Sequence, residues 1–197
     1  EFRKQSIPVV LVNNYLDMDG LVCISADHYG GAVQATEYLC KLGHCKIGLL
    51  SGRFSPQVSE ARIEGFVKTL AKYDIPVDDR FIADIEPALE DGEEIMTRML
   101  REVDRPTAFF CTNDTIAAGA MKAVTRAGLR VPEDIAIIGF DDSYISRVVE
   151  PELTTVRIDA AKMGCLAMQT LFDLIAGMPV EKAHIQIPTE LIVRGTA

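Results

Sequence analysis

The sequence predicts an α/β fold, a parallel sheet covered by helices. Two observations carry that expectation: short β-branched runs alternate with segments of helical period along most of the 197 residues, and several of the runs are continuously apolar, as strands buried on both faces must be. Taken in order, residues 9–12 and 21–24 read as strands. Residues 31–41 carry apolar side chains at helical spacing and stop at Leu42-Gly43-His44, a helix C-terminal signal. A buried strand at 46–50 follows, then a helix over 59–73 with Phe66, Leu70 and Tyr73 on its buried face. Strand 81–83 leads to helix 90–103, and strand 108–111 to helix 115–127, which ends at Gly128. The most apolar strand spans 135–140. After it the rhythm breaks: 151–157 is extended, 160–176 is a long helix ending at Gly177, and 185–193 supplies one or two last strands. Before Ala26 there are two strands and no helix, so helix 160–176 lacks a sheet of its own, and the sequence reads as if elements preceded it.

Composition narrows the function. At 48% hydrophobic and 25% charged, the chain has the balance of a soluble globular protein with a sizeable core. No apolar run reaches the ~20 residues of a membrane span, and Glu1-Phe2-Arg3-Lys4-Gln5 lacks the apolar stretch of a signal peptide, so the cytoplasm is the expected compartment. The five cysteines, Cys23, Cys40, Cys45, Cys111 and Cys165, are odd in number and scattered, and read as reduced thiols. A formal charge of −9 opposes attraction to a phosphate backbone, so these residues alone are not expected to hold DNA. His28, His44 and His184 match no metal-ligand spacing and read as helix-end or surface residues. There is no nucleophile elbow, Walker loop or dinucleotide fingerprint, and neither catalysis nor a cofactor is expected.

In an open parallel sheet, ligands bind beyond the carboxyl ends of the strands. The residues there are polar: Asn13-Asn14, Ser51-Gly52, Thr112-Asn113-Asp114 and Asp141-Asp142-Ser143. Arg62, in the first turn of the predicted helix 59–73, reaches the same edge. Arginine, asparagine and aspartate together offer the donors and acceptors that the hydroxyls of a sugar need. The competing reading makes such residues helix caps or Asx turns. Of the adjacent pairs, Asp114 is read as the cap and Asn113 as the cleft residue, Asp142 as the turn former and Asp141 as the ligand-facing carboxylate.

These same residues carry a resemblance. Asp27-His28-Tyr29-Gly30-Gly31-Ala32 with Leu42-Gly43-His44, Ala61-Arg62-Ile63-Glu64-Gly65-Phe66, Thr112-Asn113-Asp114, Val131-Pro132-Glu133-Asp134 leading to Ile138-Gly139-Phe140-Asp141-Asp142, and Leu153-Thr154-Thr155-Val156 resemble, in order, the motifs of the lactose-repressor/galactose-repressor family. The resemblance implies a type I periplasmic-binding-protein-like architecture, with two doubly wound lobes, three crossovers and an effector bound between the lobes. By analogy residues 1–26 are part of the N-terminal lobe and 27–153 the C-terminal lobe. Residues 154–178 return to the first lobe, and 179–197 are return strands of the second.

The family's effector contacts fall on Arg62, Asn113, Asp141 and Asn13. Sugar-binding members often stack an aromatic ring on the ligand, where this chain has Pro87 and Ala160. The implied function is the effector-binding and dimerisation core of a regulator, a homodimer that meets operator DNA only through an N-terminal head lying before these residues. The alternative is a sugar-binding protein of a transporter.

Overall fold

The computed structural model describes residues 7–14, 16, 18, 21–180 and 183–197. The reading of residues 1–5 as lacking a signal peptide lies outside them. The elements are β1 (Val10–Val12), β2 (Val22–Ala26), α1 (His28–Lys41), β3 (Ile47–Gly52), α2 (Pro56–Lys72), β4 (Ile82–Ile85), α3 (Leu89–Met99), β5 (Ala108–Cys111), α4 (Asp114–Arg126), β6 (Ala136–Asp141), α5 (Ile145–Val148), β7 (Thr154–Arg157), α6 (Ala160–Ile175), β8 (His184–Ile187) and β9 (Glu190–Ile192). The alternation expected from the sequence is present, and α5, a single turn, is the helix it did not signal. The chain divides into two compact units, a smaller one of residues 1–27 and 158–189 and a larger one of 28–157 and 190–197.

The larger unit holds a six-stranded sheet in the order β4-β3-β5-β6-β7-β9, parallel except for β9, which runs antiparallel to β7. Strand alternation sends side chains to two helical layers. Leu50, Phe109, Cys111 and Ile137 join the core formed with α3 and α4. On the opposite face Phe110 stacks on Phe66 of α2 at 6.5 Å between ring centroids and meets Phe140 at 6.3 Å. The α3–α4 pair packs backbone to backbone because two glycines leave room for it. A Cβ on Gly119 would lie 2.1 Å from Leu89 O, and one on Gly92 would lie 2.5 Å from Ile116 O.

The smaller unit holds a parallel sheet β1-β2-β8, covered by α6. Met163 and Ala167 pack with Ile24, Ala26 and Ile187, and Leu166 adds to that cluster. Met168, Phe172 and Ile175 on the other side of α6 are exposed.

Two expected boundaries change. Residues 154–157 stay in the larger sheet, as β7 beside β6, because Thr154 is tied into that core by its backbone bond to Thr196. Of the final strands, β8 pairs with β2 in the smaller sheet, and only β9 returns to the larger one. A strand pattern read from sequence gives the strand but not its neighbour. All five cysteines are free thiols, with Cys23 and Cys111 buried and Cys45 and Cys165 exposed.

Candidate functional site

Strands β3, β5 and β6 run parallel, so their carboxyl ends and the residues that follow share one edge of the larger sheet. At that edge sits Arg62, only 2% exposed. The helix that carries it starts earlier than its apolar period suggests, with a proline in its first turn, which places Arg62 in the second turn. Its Nη1 donates to the carbonyl of Thr112, at the end of β5. Nη2 donates to Asp141 Oδ1 at 3.3 Å and lies 3.2 Å from His28 Nδ1. The guanidinium carbon stands 3.8 Å from the centroid of the Phe140 ring and 5.0 Å from that of Phe54, so the cation is held between aromatic faces. Burial lowers the Arg62 pKa to about 10 against the attraction of Asp141, which leaves the group charged at neutral pH.

Asp141 closes β6 with a positive φ of 111°, and Asp142 follows at 49°. Such backbone is uncommon for a non-glycine residue and is kept where surrounding structure enforces it. Strict alternation would aim Asp141 with Ile137 toward the α3–α4 layer, whereas its carboxylate meets Arg62 on α2. Burial pushes its pKa up to about 6, with Arg62 pulling down and Asp114 pushing up.

The cap expected of Asp114 is formed by Asn113 instead. Asn113 is the N-cap of α4, its Oδ1 accepting from Ile116 N at 2.8 Å, which leaves the two amide N–H groups of Nδ2 outside the cap. Asp114, 1% exposed, accepts from Thr155 Oγ1 at 2.5 Å and from Ser143 N at 2.6 Å, and burial raises its pKa. It fastens the loop after β6 to the start of α4.

Asp142 has the positive φ of a turn residue, but it is also a buried ionic hub. Its carboxylate accepts from Arg194 Nη2, from Arg157 Nε at 2.8 Å and from Ser146 Oγ at 3.1 Å. Burial works against ionisation, yet the Arg194 and Arg157 donors hold its pKa down to about 2. The two adjacent carboxylates diverge, as expected.

The structure therefore brings Arg62, Asp141 and the Asn113 turn to one edge. Asn13 follows β1 in the smaller unit, exposed, with a φ of 53° and its N–H on Ile24 O at 2.7 Å. His28 is the residue that sequence reading missed. It opens α1, as a helix-end residue, but is 5% exposed, and burial followed by the Arg62 charge lowers its pKa to about 3. Nothing local in the sequence signals this, since the partner stands 34 residues away.

Among the described residues, the buried side-chain nitrogen and oxygen atoms that lack a hydrogen-bond partner are His28 Nε2, Ser51 Oγ, Ser55 Oγ, Arg62 Nε and Ser143 Oγ. All five belong to segments at this one edge. Unmatched buried polar atoms are rare in folded chains, and a cluster of them is what a polar ligand completes. Among the described residues no group of three or more His, Cys, Asp or Glu is placed to hold a metal ion, and no helix is long and apolar enough to cross a membrane.

Comparison with known proteins agrees with this layout. The model of the periplasmic binding protein-like domain matches residues 36–197. The HTH-type transcriptional repressor PurR of Pasteurella multocida is 36% identical over 191 residues, which cover 96% of this chain and 57% of that protein; the chain thus spans little more than half of this relative's length. A LacI-family transcriptional regulator from Enterococcus faecium, solved with bound ribose, is 27% identical at a TM-score of 0.90, over 99% of this chain and 72% of that one. A LacI-family regulatory protein from Chloroflexus aggregans superposes at a TM-score of 0.92, with 31% identity over 99% of this chain and 70% of that one. The ordered motifs, the polar sheet edge and these matches together establish that the chain belongs to the LacI/GalR family, in its periplasmic-binding-protein-like domain.

Proposed function

We propose that this chain is the effector-binding core of a cytoplasmic transcription regulator, that its effector is a sugar or sugar derivative, and that it acts without catalysis. In this reading Arg62 and Asp141 grip ligand hydroxyls, the free amide of Asn113 adds donors, and Asn13 is a further contact. The observation that carries it is the buried Arg62 guanidinium, preorganised on Thr112, Asp141 and Phe140, with its own Nε and the hydroxyls of Ser51 and Ser55 unmatched. A charged donor and acceptor already fixed in place lose little entropy on binding. The ribose bound by the Enterococcus relative supports the ligand class, and the repressor relative favours regulation over transport. Homodimerisation and contact with operator DNA through a separate head complete the proposal.

Calorimetry with ribose, cellobiose and inorganic phosphate tests it. Saturable binding of a sugar is expected at pH 7.5. Asp141 must be ionised to serve Arg62 and ligand hydroxyls, so affinity is expected to fall as pH drops below about 6 and the carboxylate takes up its proton. Binding of phosphate alone, or a sugar affinity that rises with acidity, would defeat the reading.

The 197 residues themselves are expected to leave duplex DNA unbound even at low salt, given their charge of −9. Anisotropy titration with labelled duplex checks this, and tight, sequence-dependent binding would contradict it.

A further inference from the structure

The ring of His28 packs at a tilt on Phe140, with centroids 6.0 Å apart, and its Nδ1 lies 3.2 Å from Arg62 Nη2. A guanidinium has donors and no acceptor. Arg62 is therefore the donor in this contact, and Nδ1 must be the bare nitrogen of the ring. A neutral imidazole then carries its proton on Nε2, and that atom is buried with no partner. The ring is held neutral by its surroundings, burial first and the Arg62 charge second. An unmatched N–H in a packed site is unfavourable, and an apolar ring in its place would remove it. The neighbouring Arg62 Nε is also unmatched, as are the hydroxyls of Ser51, Ser55 and Ser143 at the same edge.

We infer that His28 is a specificity-determining contact of the effector site: through Nδ1 it fixes the Arg62 guanidinium, and through Nε2–H it donates to an acceptor oxygen of the ligand. The class of group it selects is an oxygen with a free lone pair, as in a hydroxyl, a ring ether or a carboxylate. It discriminates against a ligand that presents a donor or a methyl group there, because the buried N–H would then stay unmatched. The inference rests on the effector-binding reading above and adds to it a residue that reading does not use.

Two measurements test it. Nitrogen-15 NMR of the histidines in the free chain at pH 7 is expected to show His28 with Nδ1 bare and Nε2 protonated, and its Nε2–H resonance is expected to move downfield when ribose saturates the site. An Nδ1-protonated ring, or a resonance that ribose leaves in place, overturns the inference. In calorimetry, His28→Phe is expected to weaken ribose binding by about tenfold or more while Tm stays within about 3 °C of wild type. His28→Gln, which keeps one acceptor and one donor, is expected to recover affinity to within about threefold. Should His28→Phe fail to fold, His28→Leu takes its place. Wild-type binding that neither apolar variant reduces overturns this inference alone. A wild-type chain inert to ribose, cellobiose and phosphate overturns the effector reading and this inference with it.

Discussion

Arg62→Ala is expected to weaken sugar binding by about 100-fold or more. The side chain offers charge-assisted hydrogen bonds worth about 1.5–3 kcal/mol each, and its loss would also free Asp141 to turn away from the edge. Part of any effect of alanine is lost packing, since the guanidinium lies against Phe140 and Phe54. Arg62→Met separates the two: it keeps an apolar stem of similar length against the rings and is expected to lose less Tm than alanine, yet to bind as poorly as alanine. Calorimetry and thermal melts on both variants supply the answer. A methionine variant that binds within a few fold of wild type would mean that Arg62 shapes the site and does not touch the ligand.

Asp142→Ala is expected to act on stability, by about 3 kcal/mol or more, and far less on affinity. Removing the carboxylate leaves the largely buried Arg194 with only the exposed Glu152 as counter-ion, and breaking a buried pair from one side costs about 3–5 kcal/mol. For a chain of this size that corresponds to a Tm lower by ~6–12 °C. The acid limb of stability carries the same signature. The Asp142 pKa is about 2 when folded, below its ordinary value of about 3.9, so its contribution is complete above about pH 4 and is lost as pH falls through 2. Melts of wild type and variant from pH 2.5 to pH 7 should therefore converge toward acid. Curves that stay parallel over that range would remove Asp142 from the account of stability.

The contrast between these two residues also marks how far sequence reading goes. The strands, the helices and the polar edge were legible because periodicity and turn chemistry are local: strand 108–111 and the start of helix 160–176 fall where the pattern put them. Roles at the edge were less legible. Asn113 and Asp114 both follow a strand and both suit a cap, and a shift of one residue at the helix start decides which does so. Asp142 has the backbone of a turn residue, and the most buried of its arginine partners, Arg194, stands 52 residues away, beyond any local window. The resemblance to a family named Arg62 and Asp141 as contacts but gave no role to His28, which stands in one of its motifs and whose burial depends on α1 packing against α2. For the same reason the sequence yielded β8 as a strand and not the sheet it joins.

The larger unit is assembled from two stretches of chain, and the second stretch is short. Strand β9 shields the β7 edge, and Thr196 just beyond it is completely buried, donating to Ile137 O at 2.6 Å and accepting from Thr154 N at 2.9 Å. On a ribosome, residues 28–157 emerge with β7 bare, and they stay so while the 32 residues from 158 to 189 are made. An open strand edge is a template for pairing with another chain. The nascent unit is thus most exposed to aggregation during that interval, and the arrival of residues 190–197 acts as the bolt that closes it.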